Sequence, residues 1–208
     1  MYLPKHFEQT DAAALHSLMR AHPLAALVHS GPQGPTADHI PLEFHAGEGP
    51  HGTLRGHVAR ANPLWQQAAG QTVLAIFGGP QAYVTPSWYA AKREHGKVVP
   101  TWNYTVVHAH GVLRVVEDAP WLHALVGRLT DQHEAPRAAP WSVDDAPADY
   151  VQPMLRAIVG IEIAVERLVG KWKLSQNRNE ADRRGVAEGL AAETGADARA
   201  MAAMLRGS

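Results

Sequence analysis

The sequence predicts an α+β protein built on an antiparallel barrel or sheet with peripheral helices. Three observations predict this. Six or seven strand-like runs follow one another at hairpin spacing, divided by Gly- and Pro-rich turns. Few of them are joined by the helical crossovers that a doubly wound parallel sheet requires. Hydrophobic residues make up 46% of the chain and charged residues 19%, which supports a packed core and excludes a disordered chain.

The elements read in order as follows. Asp11 to about Ala21 forms a helix, capped by Thr10 or Asp11, with Leu15, Leu18 and Met19 as its apolar stripe. Strands follow at Leu24–His29, Ala37–Phe44 and Thr53–Val58, divided by the clusters at 31–35 and 47–52. A short helix runs from Pro63 to Ala69, and strands return at Thr72–Phe77 and Gln81–Thr85. Tyr104–Val116 is a long strand. Trp121–His133 is a helix with Leu122, Leu125, Val126 and Leu129 on one face, and Tyr150–Ala157 is another. Ile158–Leu168 alternates through Ile161, Ile163 and Val165 as a strand does. Asn179–Leu205 is Ala-rich and helical, broken near Gly195. The expected organisation is a main domain over residues 1–178 with a helical C-terminal tail over 179–208.

The 208 residues fit one domain with at most a small appendage. Cysteine is absent, which excludes disulfides, thiolate catalysis and Cys-ligated metals. With 19 Lys+Arg against 20 Asp+Glu the net charge is −1, so a broadly basic nucleic-acid surface is not expected, although a local patch is compatible. Met1–Glu8 lacks an apolar signal core and no apolar run spans a membrane, so the cytoplasm is the expected compartment.

Four segments carry candidate chemistry. In Leu54–Trp65, Arg55 and His57 share one strand face, Arg60 follows, and Asn62-Pro63 is a helix-start signal. Two guanidiniums and an imidazole beside a helix start suit a phosphate dianion; arginines paired to acidic residues around a capped surface helix would suit the same residues. Residues 83–89 (YVTPSWY) and 99–104 (VPTWNY) mix aromatic and hydrogen-bonding groups, as a flat heteroaromatic ligand or an aromatic core would require. Residues 169–178 (VGKWKLSQNR) form a cationic stretch that fits a ligand, a DNA phosphate or a solvated strand end. His108 and His110 share a strand face without a further ligand motif, so no metal is expected. Residues 47–52 match G-x-G-x-x-G in letters only: Pro50 interrupts, a strand follows rather than a helix, and a hairpin loop is the reading. In the C-terminal tail the second helix offers only Arg199 and Arg206 among Ala, Met and Leu, which favours packing over DNA reading.

Several of these blocks, in this order, resemble the PaiB-like FMN-binding negative transcriptional regulators of the FMN-binding split-barrel superfamily. The matching residues are 1–4 (MYLP) with His6-Phe7, 38–42 (DHIPL), 54–63 (LRGHVARANP), 83–89, 99–104 and 173–177 (KLSQN), with Asp38 the clearest departure. The resemblance implies an antiparallel split β-barrel homodimer with non-covalent FMN at the subunit interface. It places the phosphate at Arg55, His57, Arg60 and Asn62. It brings Thr101, Trp102 and Asn103 towards the flavin or its ribityl chain, with Lys173, Ser175 and Gln176 completing the pocket. It further implies repression of genes, in the best-known members those for sporulation and extracellular proteases. Any DNA contact would come from a patch of Lys171, Lys173, Arg178, Arg183 and Arg184. An FMN-dependent oxidoreductase is the alternative, since the cofactor would carry the redox chemistry, and haem binding is a third reading.

Overall fold

Alternation of apolar and polar residues over long stretches dictates a sheet, and a sheet dominates the computed structural model, which describes residues 1–207. In chain order the elements are β1 (Glu8–Gln9), α1 (Ala12–Ala21), β2 (Leu24–Gly31), β3 (Gly34–Pro41), β4 (Glu43–His45), β5 (Thr53–Ala59), α2 (Leu64–Gln67) and β6 (Thr72–Val84). There follow α3 (Ala91–Glu94), β7 (Thr101–Val116), α4 (Ala119–Glu134), α5 (Ala148–Arg156), β8 (Ile158–Lys173), α6 (Glu180–Ala192) and α7 (Ala196–Arg206). The strands form one sheet in the order β3-β2-β6-β7-β8-β5-β4, with β1 added against β8. The path ends at β3 and β4 without a closing ladder, so the fold is α+β with an antiparallel sheet that is not closed into a barrel.

The chain divides into two units. The first takes Met1–Ala21, Gly78–Val107 and the chain from Val169 onward; the second takes His22–Phe77 and His108–Leu168. In the first unit, Leu15, Leu18 and Met19 of α1 are buried as the helical stripe required, together with Val186 and Leu190 of α6 and Met201 and Leu205 of α7. In the second, the buried set alternates along each strand: Ala25 and Leu27, Leu54 and Val58, Val73, Ala75 and Phe77, Val159, Ile161, Ile163 and Val165. Leu122, Leu125 and Leu129 of α4 supply the helical layer.

The β4–β5 hairpin pairs Glu43 with Arg55 and His45 with Thr53, so residues 47–52 are its loop. Strand boundaries differ from expectation at several points: β7 begins at Thr101 rather than Tyr104, β8 runs on to Lys173 rather than Leu168, and two changes alter which strands exist. Residues 37–44 are not one strand: β3 ends at Pro41, the Leu42 amide donates to the Pro23 carbonyl at 2.9 Å, and β4 starts at Glu43. Conversely, 72–77 and 81–85 merge into the single strand β6 through Gly78-Gly79-Pro80. Gly79 is a close-approach position here. A Cβ there would lie 2.3 Å from the Thr105 hydroxyl and 2.8 Å from Leu18.

Candidate functional site: a cationic cluster and an arginine pair held by acids

The second unit contains the strand-to-turn segment singled out for an anion. Arg55 and His57 do lie on one face of β5, at the half-buried positions that alternate with Leu54, Gly56 and Val58. Arg55 is already committed to carboxylates. Its Nη1 and Nη2 donate to Glu48 at 2.9 and 2.6 Å, and its Nε donates to Glu162 at 2.8 Å. Burial works against its charge, and the hydrogen bonds and fields of Glu162 and Glu48 outweigh that and hold it protonated. Arg60 donates to Glu117 at 2.6 Å and to the Arg156 and Ile158 carbonyls at 2.9 and 3.2 Å. Asn62 caps as expected, its Oδ1 accepting from the Leu64 amide at 2.9 Å, and its Nδ2 donates to Asp38 at 2.7 Å. That contact gives Asp38 a role in the turn. Burial pushes the His57 pKa down, so the imidazole is neutral, and its Nδ1 is buried without a hydrogen-bond partner among the described residues. Of the two readings of this segment, the structure shows the pairing of both arginines to acidic residues: Glu48 and Glu162 for Arg55, and Glu117 for Arg60. The acidic partners are 7, 107 and 57 residues distant in sequence, and only folding selects them.

The first unit gathers the other predicted residues where β7 begins and β8 ends. Lys173 Nζ donates to the Thr101 hydroxyl and, at 2.6 Å, to the Trp102 carbonyl. Buried Asn103 and Ser175 bond to each other through Nδ2 to Oγ at 3.1 Å and Oγ to Oδ1 at 3.2 Å. Gln176 stitches the same turn: its Oε1 accepts from the Leu174 amide and its Nε2 donates to the Trp172 carbonyl, both at 2.7 Å. Ser175 sits at φ 60°, in the left-handed region that an L-residue occupies only when its surroundings hold it there. All six expected residues of this half are therefore one connected constellation.

Its electrostatics differ from those of the arginine pair. Lys171 donates to the Tyr2 carbonyl at 3.0 Å, with the rings of Tyr2 and Tyr104 centred 5.8 and 5.3 Å from its ammonium. Arg178 stacks 4.7 Å over Tyr89. Among the described residues neither these two nor Lys173 has a carboxylate within ion-pair distance. Burial, then the charges of Lys171 and Arg178, push the Lys173 pKa down. A cation disfavoured by its neighbours and lacking an anion fits an anionic ligand group, and FMN carries a phosphate. The five residues expected to form a DNA patch are unequally accessible: Lys171 is 7% exposed and flanked by aromatic rings, Lys173, Arg178 and Arg183 are half-buried, and Arg184 is exposed.

Sequence reasoning missed Tyr2 and Tyr104 as the walls around Lys171. It also missed that the Tyr83, Trp88 and Trp102 rings line one cavity with residues of the C-terminal helices. Among the described residues no group of three or more His, Asp or Glu could hold a metal ion, and no helix is long and apolar enough to cross a membrane.

The family described as "Putative FMN-binding domain" matches residues 1–167. The chain belongs to this family. FMN is the cofactor that membership in the FMN-binding-domain family assigns. The chain is 35% identical over 206 residues to "Protease synthase and sporulation protein PAI 2" of Bacillus subtilis (strain 168), covering 99% of this chain and 96% of that protein. It is 36% identical over 226 residues to an uncharacterized protein of Emericella nidulans, covering 91% of this chain and 90% of that one. Among solved structures, the flavocytochrome Anf3 from Azotobacter vinelandii superposes with a TM-score of 0.60 at 13% identity, covering 88% of this chain and 78% of that one. A conserved hypothetical protein from Mycobacterium tuberculosis gives 0.56 at 14% identity, with 85% and 92% coverage. At these identities the superpositions establish the split-barrel fold alone.

Proposed function

We propose that this FMN-binding-domain protein works as a homodimeric, PaiB-type negative transcriptional regulator and that Lys173 and Arg178 receive the anionic end of its FMN. The observation that carries the assignment is the contrast between the two cationic groups. Arg55 and Arg60 are neutralised by carboxylates, whereas among the described residues Lys171, Lys173 and Arg178 have no carboxylate within ion-pair distance. Thr101, Asn103, Ser175 and Gln176 fix the turn that presents Lys173. When bound, FMN supplies the redox-active ring; the chain's own groups bind and orient it.

The regulatory role is supported by the relationship, over almost the whole chain, to the Bacillus subtilis sporulation protein. The homodimer is supported by the sheet face of the second unit, where Ala26 and Val28 of β2, Leu74 and Ile76 of β6, and Val112 of β7 are only half-buried and alternate with buried residues. Direct DNA contact would run through Arg184 of α6, and phosphate contacts of that kind weaken steeply with salt.

FMN titration decides the cofactor assignment. Lys173→Ala and Arg178→Ala should each lose a charge-assisted contact of about 1.5–3 kcal/mol, or roughly 10- to 150-fold in affinity. Arg55→Ala should bind FMN within a few-fold of the parent. The opposite pattern would move the phosphate to the strand-to-turn segment and overturn the assignment. In the same samples light scattering should read twice the chain mass; a single-chain mass would remove the dimer.

A further inference from the structure

Three aromatic rings of the first unit make none of the contacts that present Lys173; Trp102 joins those contacts through its backbone carbonyl, not its ring. Tyr83 and Trp102 are 48% and 53% exposed, a wasteful placement for rings of that size unless something covers them. They are not scattered. Their ring centroids lie 6.0 Å apart at 68°, an edge-to-face pair. Together with Trp88 they line a cavity of about 530 Å³, within the range of small-molecule sites.

The opposite wall comes from the C-terminal helices: Leu190 at the end of α6, Glu193 and Gly195 in the connection, and Asp197 in the first turn of α7. Trp88 is fixed between the walls. A Cβ at Gly189 would fall 2.4 Å from the Trp88 ring, so only glycine lets α6 lie directly on the indole. The cavity is thus built by packing and does not depend on a mobile loop.

Its charge is one-sided. No Lys, Arg or His lines it, and Glu193 and Asp197 are exposed and form no ion pair among the described residues. The amino end of α7 contributes about half a positive charge, which two carboxylates outweigh. The faces of Tyr and Trp rings are themselves negative. Lys173 meets Trp102 only at its backbone carbonyl and does not line the cavity. Such a site repels the phosphate of FMN and attracts a cation with an apolar body.

We propose that this cavity is a second ligand site, distinct from that for FMN, which takes a small organic ammonium cation. The positive nitrogen would lie over the Trp102 and Tyr83 faces within reach of Glu193 and Asp197, and the alkyl or aryl body would rest on Trp88 and Leu190. For a regulator this is an effector site; the proposal does not depend on which residues hold the FMN phosphate.

Calorimetric titration of the full chain with choline, and with its uncharged isostere 3,3-dimethylbutan-1-ol, tests it. Choline should bind saturably, and the neutral alcohol at least about tenfold more weakly, as expected for a cation–π contact reinforced by carboxylates. Tyr83→Ala and the double variant Glu193→Gln/Asp197→Asn should each weaken choline by a similar factor. The double variant alters only exposed side chains and serves if the tyrosine change disturbs packing. Equal binding of the two probes, no binding of choline, or unchanged affinity in the charge variant would each overturn the proposal. So would competitive displacement of choline by FMN, which would make the cavity part of the flavin site.

Discussion

Arg55 shows how one side chain is decided by partners far away in the chain. It sits on β5 with less than a fifth of its side chain exposed, bidentate to Glu48 in the hairpin loop and bonded through Nε to Glu162 on β8. Glu162 is equally sheltered, and among the described residues its other ion-pair partner is Arg114 at 3.8 Å. Removing the guanidinium therefore strands a half-buried carboxylate, which costs more than the pair itself is worth. Arg55→Met should lower stability by about 2 kcal/mol in urea titration, and adding Glu162→Gln should restore much of that loss. Equal midpoints for the parent and Arg55→Met would show that the pair contributes nothing. The positions of Arg55 and His57 on one face could be read from strand periodicity. The neutralisation could not, because nothing local marks Glu162 as the residue that pairs opposite Arg55.

At the level of elements, periodicity identified the apolar faces of α1, α4 and β8, because burial imposes those patterns directly. It failed where tertiary contact overrules a local signal. Gly78-Gly79-Pro80 is a turn signature, yet β6 runs straight through it, with Gly79 giving way to Thr105 and Leu18. The candidate site was legible in the same uneven way. Lys173, Ser175 and Gln176 are neighbours in sequence, and Thr101, Trp102 and Asn103 are too, so pairing two blocks sufficed. The aromatic cavity needed α6 and α7 folded back onto Trp88. That docking is testable at Gly189. Alanine is about 1 kcal/mol better than glycine inside a helix, so an unconstrained Gly189→Ala would stabilise the protein. With a Cβ 2.4 Å from the indole, overpacking of about 1–3 kcal/mol should win. The thermal midpoint should therefore fall, with a change in tryptophan emission. A higher midpoint with unchanged emission would mean that α6 does not rest on Trp88.

Thirteen histidines in a chain of net charge −1 make acid response a property of the whole molecule. His16, His57, His108 and His110 are all pushed below the ordinary histidine pKa, in each case chiefly by burial. A lowered pKa means that the folded chain holds these rings neutral while the unfolded chain protonates them near pH 6.5. Above that pH neither state carries the proton and stability is unaffected. As the pH falls through about 6.5 the unfolded state gains protons first, and stability declines until the folded-state pKa values are passed. Glu43 opposes acid differently. Burial works to raise its pKa, and hydrogen bonds from Arg128 and His45 outweigh that and lower it. Its contribution is lost as the pH drops through the carboxylate range. Urea midpoints should therefore be flat from pH 8 to 7, fall from about pH 6.5 downward, and fall again in the carboxylate range. His57→Gln should shallow the first decline because it removes the buried ring whose Nδ1 has no partner among the described residues. A midpoint that rises as the pH drops from 7 to 5.5 would mean that the histidines gain anionic partners on folding, and would reverse the sign of this account.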